Sequence, residues 1–182
     1  MFSRRNWSHV LLWAGLLLYL IFAYDLYNLF ILRHGKPIRV SAELPEPTNL
    51  IYIGIDRFEP TYYDGQYSYV LVGWAFAGLY PGMPPEEYER QVLLTSNERS
   101  YFFSIETQPR QDVKDAFQLK ELDLIRSGFT ALISSQTIAP GVYQVGVSFR
   151  NPEDEDGDTY YGITEKYLVR TPNQFYMSDS LP

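Results

Sequence analysis

The chain contains no cysteine. That absence excludes a disulfide scaffold, a thiolate-held zinc or iron–sulfur site and a thiol nucleophile, and it leaves the redox compartment open. Histidine is almost missing as well. His9 and His34 are the only two, and residues 35–182 hold none. A Ser-His-Asp or Cys-His relay and a multi-histidine metal site in that body are therefore excluded. Positive charge is scarce: 15 Lys/Arg stand against 22 Asp/Glu, a net of −7. Such a balance argues against tight nucleic-acid binding through phosphate contacts. There is no Walker loop, no G-x-G-x-x-G and no G-x-S-x-G, and no spacing among the acids recommends a paired-carboxylate site. The reading is a non-enzymatic chain with no cofactor. At roughly 150 residues per domain, 182 residues make one domain plus an appendage.

The appendage is N-terminal. Val10–Tyr24 has fifteen residues without a charge; Asp25 interrupts, and Leu26–Leu32 continues the apolar pattern. Val10–Leu32 as one helix would be about 34 Å long at ~1.5 Å per residue, enough to span a hydrocarbon core of roughly 30 Å. Trp7, Trp13, Tyr24 and Tyr27 suit interfacial belts. A cleaved signal peptide is the rival, but Ile21 before Ala23 makes a poor A-x-A site. The expectation is a single-pass transmembrane α-helix within residues 1–34, ahead of the domain. Arg4 and Arg5 precede it and Arg33, Lys36 and Arg39 follow, so the positive-inside count is nearly tied. The short basic leader favours a cytoplasmic N-terminus and an extracytoplasmic body at the cell membrane. Asp25 and Asn28 share a helix face at i, i+3. That face reads either as a carboxylate reaching the headgroups or as a contact to a partner's transmembrane helix.

Residues 35–48 hold Pro37, Pro45 and Pro47 and read as an extended stalk. Residues 49–170 then carry short β-rich runs at 50–58, 67–79, 91–95, 100–106, 129–134, 142–150 and 160–169. About seven strands without long periodic helices predict an all-β, immunoglobulin-like β-sandwich. The 67–79 run places Val70, Val72, Trp74 and Phe76 on one face, and Trp74 on such a strand reads as core. Gln111–Phe117 is long enough for one or two helical turns, and residues 171–182 read as an irregular tail. Residues 40–182 hold ten Lys/Arg and 21 Asp/Glu, a net of −11, so anionic lipid headgroups would repel this body.

From Gly73-Trp-Ala-Phe76 a longer pattern develops. It continues through Gln91–Thr95, Tyr101–Thr107, Arg110–Phe117, Ser127-Gly-Phe129 and Pro140–Gly146. In this order the segments resemble a small all-β domain of bacterial cell-envelope proteins, carried behind one membrane anchor or attached to larger membrane enzymes. The resemblance spans roughly residues 50–170. It implies an extracytoplasmic β-sandwich and carries no catalytic residues over.

Two motifs carry candidate chemistry. Counted from Asp154, acids fall at positions 1, 3, 5 and 12 (Asp154, Asp156, Asp158, Glu165), with the Tyr160 carbonyl at position 7. That is the spacing of a calcium loop. Thr159 replaces the glycine required at position 6, and the preceding segment is a strand ending at Pro152. A solvated hairpin loop turning at Gly157 is the plainer reading, so no metal is expected. The second motif is the tyrosine cluster around Asp64-Gly65. Tyr62, Tyr63 and Tyr67 read as partner contacts on a rigid turn, or as hairpin aromatics and nothing more. The functional reading is a non-catalytic accessory or interaction subunit of a membrane-protein assembly. The alternative is a membrane-tethered binding domain for cell-envelope glycan.

Overall fold

The computed structural model describes residues 35–42, 47–63, 66–78, 87–119, 122–150 and 159–182, with Trp13, Gly15, Leu16 and Tyr19. The chain divides into two compact units, Met1–Arg33 and His34–Pro182. The expected transmembrane anchor is corrected here. Among the described residues no helix is long and apolar enough to cross a membrane. A span needs about 20 consecutive apolar residues. The α-helix of the second unit, α1 (Gln111–Phe117), has 7 residues. Within 10–32 only Trp13, Gly15, Leu16 and Tyr19 are described, all helical; Asp25 and Asn28 lie outside the described residues.

The second unit is all-β. The strands are β1 (Arg39–Ser41), β2 (Ile51–Tyr63), β3 (Gln66–Ala77), β4 (Glu89–Thr95), β5 (Ser100–Ser104), β6 (Glu106–Gln108), β7 (Gly128–Ser134), β8 (Gly141–Arg150), β9 (Tyr160–Arg170) and β10 (Phe175–Ser178). They form two antiparallel sheets, one ordered β1-β5-β4-β8-β9-β10 and the other β2-β3-β7-β6. The seven-strand immunoglobulin-like count therefore becomes a six-plus-four arrangement. The three additional strands are three or four residues long, too short to show a period. Two of them, β1 and β10, lie in the segments expected to be extended stalk and irregular tail. Each forms by pairing: Val40 opposite Tyr101, Thr107 opposite Phe129, Tyr176 opposite Val169.

Side-chain alternation builds the core between the sheets. Val92 and Leu94 on β4, Tyr101 and Phe103 on β5, and Tyr143, Val145, Val147 and Phe149 on β8 meet Leu71, Ala75, Phe129, Ala131 and Ile133. On β2 the alternation changes phase. Ile51, Ile53 and Ile55 pack inward, and then so does Phe58. The register shift between Ile55 and Arg57 is a bulge at Asp56, which restores the apolar side to the core after one extra residue. At the other end of β2 the two sheets touch closely. A Cβ on Gly162 of β9 would stand 2.9 Å from the Ile51 Cβ.

The face of β3 that packs between the sheets carries Leu71 and Ala75, not Trp74. Trp74 and Phe76 point to the other side, where they join Val113 of α1, Leu122 and Leu124 in a second, smaller cluster. Trp74 lies flat on β2 at Gly54, where any Cβ would come within 2.3 Å of the indole. Trp74 thus packs as a core residue, in this second cluster rather than in the one between the sheets. The helix and the 3-10 turn Leu124–Arg126 form a partial third layer on this face.

Arg90 on β4 is 6 % exposed and points between the sheets. Its guanidinium donates to the carbonyls of Ala75 (3.2 Å), Ser127 (3.0 Å) and Arg126 (3.0 Å) and to the Thr107 hydroxyl (3.0 Å). All four acceptors belong to the four-stranded sheet or to the turn leading into it. Arg90→Leu would remove this donor from the Ala75 and Arg126 carbonyls and the Thr107 hydroxyl, while Ser127 keeps the Ala75 amide, at a cost of about 3 kcal/mol. Arg90→Lys retains the charge but not the planar fork, so it is expected to fall between the two. Urea unfolding of the three proteins at neutral pH checks this; equal midpoints for wild type and Arg90→Leu would contradict it.

Candidate functional site

The β2–β3 hairpin is longer than the sheet it faces. Tyr62 is paired with Tyr67, four positions beyond Phe58 on β2 and two before Tyr69 on β3. By alternation both tyrosines lie on the core-facing side of the hairpin. Phe58 and Tyr69 stack at 4.9 Å, and Phe175 of β10 closes against them at 5.1 and 4.8 Å. Among the described residues nothing covers the next pair in that way: Tyr62 is 66 % and Tyr67 69 % exposed. Their rings meet edge to face, 5.3 Å apart at 72°. A long antiparallel ladder thus holds two exposed aromatic rings in a fixed relation on the β2–β3 hairpin.

A second aromatic group lies beside α1. Tyr52 stacks on Phe76 at 4.9 Å, and Phe117 meets Tyr52, Trp74 and Phe76 edge-on at 6.3, 5.3 and 4.9 Å. Only Tyr52 and Phe117 of these are substantially exposed. An ion network fastens the helix here. Arg110 bonds Asp112 through both Nε (2.8 Å) and Nη2 (2.6 Å), and its Nη1 reaches the bulge residue Asp56 at 2.5 Å. Lys114 bridges to Asp123 at 2.9 Å. The Arg110 guanidinium pulls the Asp112 carboxyl down to about 2. Lys114 and the Ile125 amide lower Asp123.

A groove of about 530 Å³ opens at the β4–β5 turn. Residues 95–99 line one part of it; residues 139–144, Tyr167 and Leu181 line the rest. Tyr143 is buried against Tyr101 with ring centres 5.5 Å apart, and its hydroxyl donates to the Ala139 carbonyl at 2.8 Å. Burial pushes that hydroxyl up to about 12, so it stays protonated and keeps donating.

Of the residues expected to make contacts, the structure brings Tyr62 and Tyr67 together. The side chain of Tyr63 lies outside the described residues, as do Asp154, Asp156 and Asp158. Glu165 is exposed five residues into β9. It lies in an irregularity where β9 runs three residues, 164–166, past Val145 of β8. A calcium loop needs its twelfth residue to close back on the ion; here an antiparallel strand leads away from that loop. Among the described residues no group of His, Asp or Glu is placed to hold a metal ion. The aromatic group at α1 and the groove escaped sequence reasoning. Each assembles residues far apart in the chain, Tyr52 with Phe117 and Arg99 with Tyr167, and no local pattern links them.

No family model matches the chain, and no curated protein or solved structure is significantly similar to it.

The Arg110–Asp112 pair generates a pH dependence. The folded Asp112 carboxyl sits at about 2, below its ordinary 3.8. A depressed carboxyl stabilises the fold above the ordinary value and loses that contribution as pH falls through the folded one. The stability difference between wild type and Asp112→Asn is expected to be constant above pH ~5 and to shrink between about pH 4 and pH 2. Urea unfolding of both proteins across that range is the measurement. A difference that does not change with pH would show that the pair adds nothing to stability.

Proposed function

We propose that this is a non-catalytic interaction domain that docks on a protein partner through the Tyr62–Tyr67 end of the β2–β3 hairpin. The observation that carries the reading is the exposure of both rings on a strand pair whose core-facing side has outrun its cover. Tyrosine supplies large contact area with few rotamers to freeze, which is why it is enriched where binding energy concentrates. The partner is protein rather than anionic lipid, because residues 40–182 carry a net charge of −11. The edge-to-face pair presents an angled wedge instead of a flat platform, which suits a pocket in a protein better than the face of a sugar ring. The membrane part of the sequence expectation rested on the corrected helix and is no part of this reading.

The test uses the full chain in its own host, with a photo-crosslinking phenylalanine analogue at position 62 or 67, and at exposed Glu165 as control. The hairpin positions are expected to give the same discrete protein adduct and the control none. With the partner identified, Tyr62→Ser and Tyr67→Ser should each weaken binding roughly tenfold or more, since a buried tyrosine anchor is worth about 2 kcal/mol. Both residues are exposed in the free protein, so these variants should keep its stability within about 0.5 kcal/mol. Adducts that are absent, or identical at all three positions, would refute the hairpin as the docking site.

A further inference from the structure

The groove at the β4–β5 turn is independent of the hairpin. Its volume, about 530 Å³, falls in the range of small-molecule sites. Its two walls are fixed from within the protein. On one side Ser96 closes the turn: its amide and its hydroxyl donate to the Arg99 carbonyl at 2.9 and 3.0 Å. The same hydroxyl accepts from the amides of Glu98 (3.4 Å) and Arg99 (3.3 Å). On the other side the Tyr101–Tyr143 pair holds Ala139 at both ends. The Tyr101 hydroxyl accepts from its amide (3.3 Å) and Tyr143 donates to its carbonyl (2.8 Å). Walls ordered before a ligand arrives reduce what binding must spend on ordering them.

The lining selects a class of ligand. Glu98 and Arg99 carry opposite charges 3.6 Å apart, so neither a simple anion nor a simple cation meets a matching field. Glu98 offers acceptors, Arg99 a planar set of donors, and Asn97 both. Neighbouring hydroxyl groups each donate and accept, which is what such a set can satisfy. Val142 and Tyr167 add the apolar and aromatic surface that the C–H face of a sugar ring covers. We propose that this groove binds a neutral saccharide, hydrogen-bonded by Asn97, Glu98 and Arg99 and packed against Val142 and Tyr167.

The experiment titrates the isotope-labelled full chain with glucose, galactose, mannose, N-acetylglucosamine and their β1–4-linked disaccharides, following amide shifts. At least one probe is expected to move amides within 95–99 and 139–144 at concentrations up to about 10 mM, the affinity range of a small polar ligand. Asn97→Ala and Arg99→Ala should each weaken that probe roughly tenfold, the worth of one or two lost hydrogen bonds. Asn97 is an exposed turn residue, so its variant tests the site even if Arg99→Ala disturbs the fold. Tyr62→Ser with Tyr67→Ser should leave the saccharide affinity unchanged, which separates this site from the hairpin. The proposal is overturned if no probe moves these amides, if the shifts fall elsewhere, or if both groove variants bind as tightly as wild type.

Discussion

One buried guanidinium joins the two sheets. Arg90 leaves β4 on the core side, where its neighbours Val92 and Leu94 are fully buried hydrocarbons. Burying a cation there is costly unless its donors are met. They are met by three carbonyls and a hydroxyl, drawn from β3, from β6 and from the turn before β7. The Ser127 carbonyl also accepts from the Ala75 amide at 2.9 Å, so Arg90 binds at a point where β3 already meets the turn before β7. The arrangement fixes the offset of one sheet on the other. It also sets the turn at 126–127, on which α1 and the second aromatic cluster depend, because the Arg110 amide donates to the Ile125 carbonyl at 2.6 Å.

The four-stranded sheet has β2 as a long edge. An exposed edge of 13 residues invites pairing with another chain. Three features oppose that. The bulge at Asp56 bends the strand, Pro60 removes a donor, and Arg57 and Glu59 place exposed charges between them. The bulge has a second consequence. It turns Asp56 toward Arg110, so the residue that corrects the phase of the core also secures the helix. The hairpin can therefore extend beyond its partner sheet and keep its register, which holds Tyr62 opposite Tyr67.

The two candidate contact regions differ in how they are made. The hairpin end depends on one ladder and exposes what a core would otherwise cover. The groove depends on one turn closed by Ser96, on another held at Ala139 by a buried tyrosine pair, and on side chains from four separate stretches. A domain with both presents a rigid aromatic projection and a polar recess at different places, so one can be altered without the other.

The strand pattern was largely legible in the sequence. The seven runs identified there lie within or overlap β2, β3, β4, β5, β7, β8 and β9, because period-2 burial leaves its mark on every strand longer than about five residues. Gln111–Phe117 was legible as one or two helical turns. Tyr62 and Tyr67 were legible as aromatics of a hairpin because the sequence Asp64-Gly65 is a turn signal. Three things were decided by tertiary structure alone. Strands β1, β6 and β10 are too short for a period and exist because a neighbouring strand offers its open ladder. The side of β3 that faces the main core was decided by which layer lay opposite: alternation gives two faces but does not say which one meets the larger sheet, so Trp74 packs under α1 and Leu71 fills the centre. The exposure of Tyr62 and Tyr67 followed from length, since a strand's own sequence does not record where the opposing sheet stops.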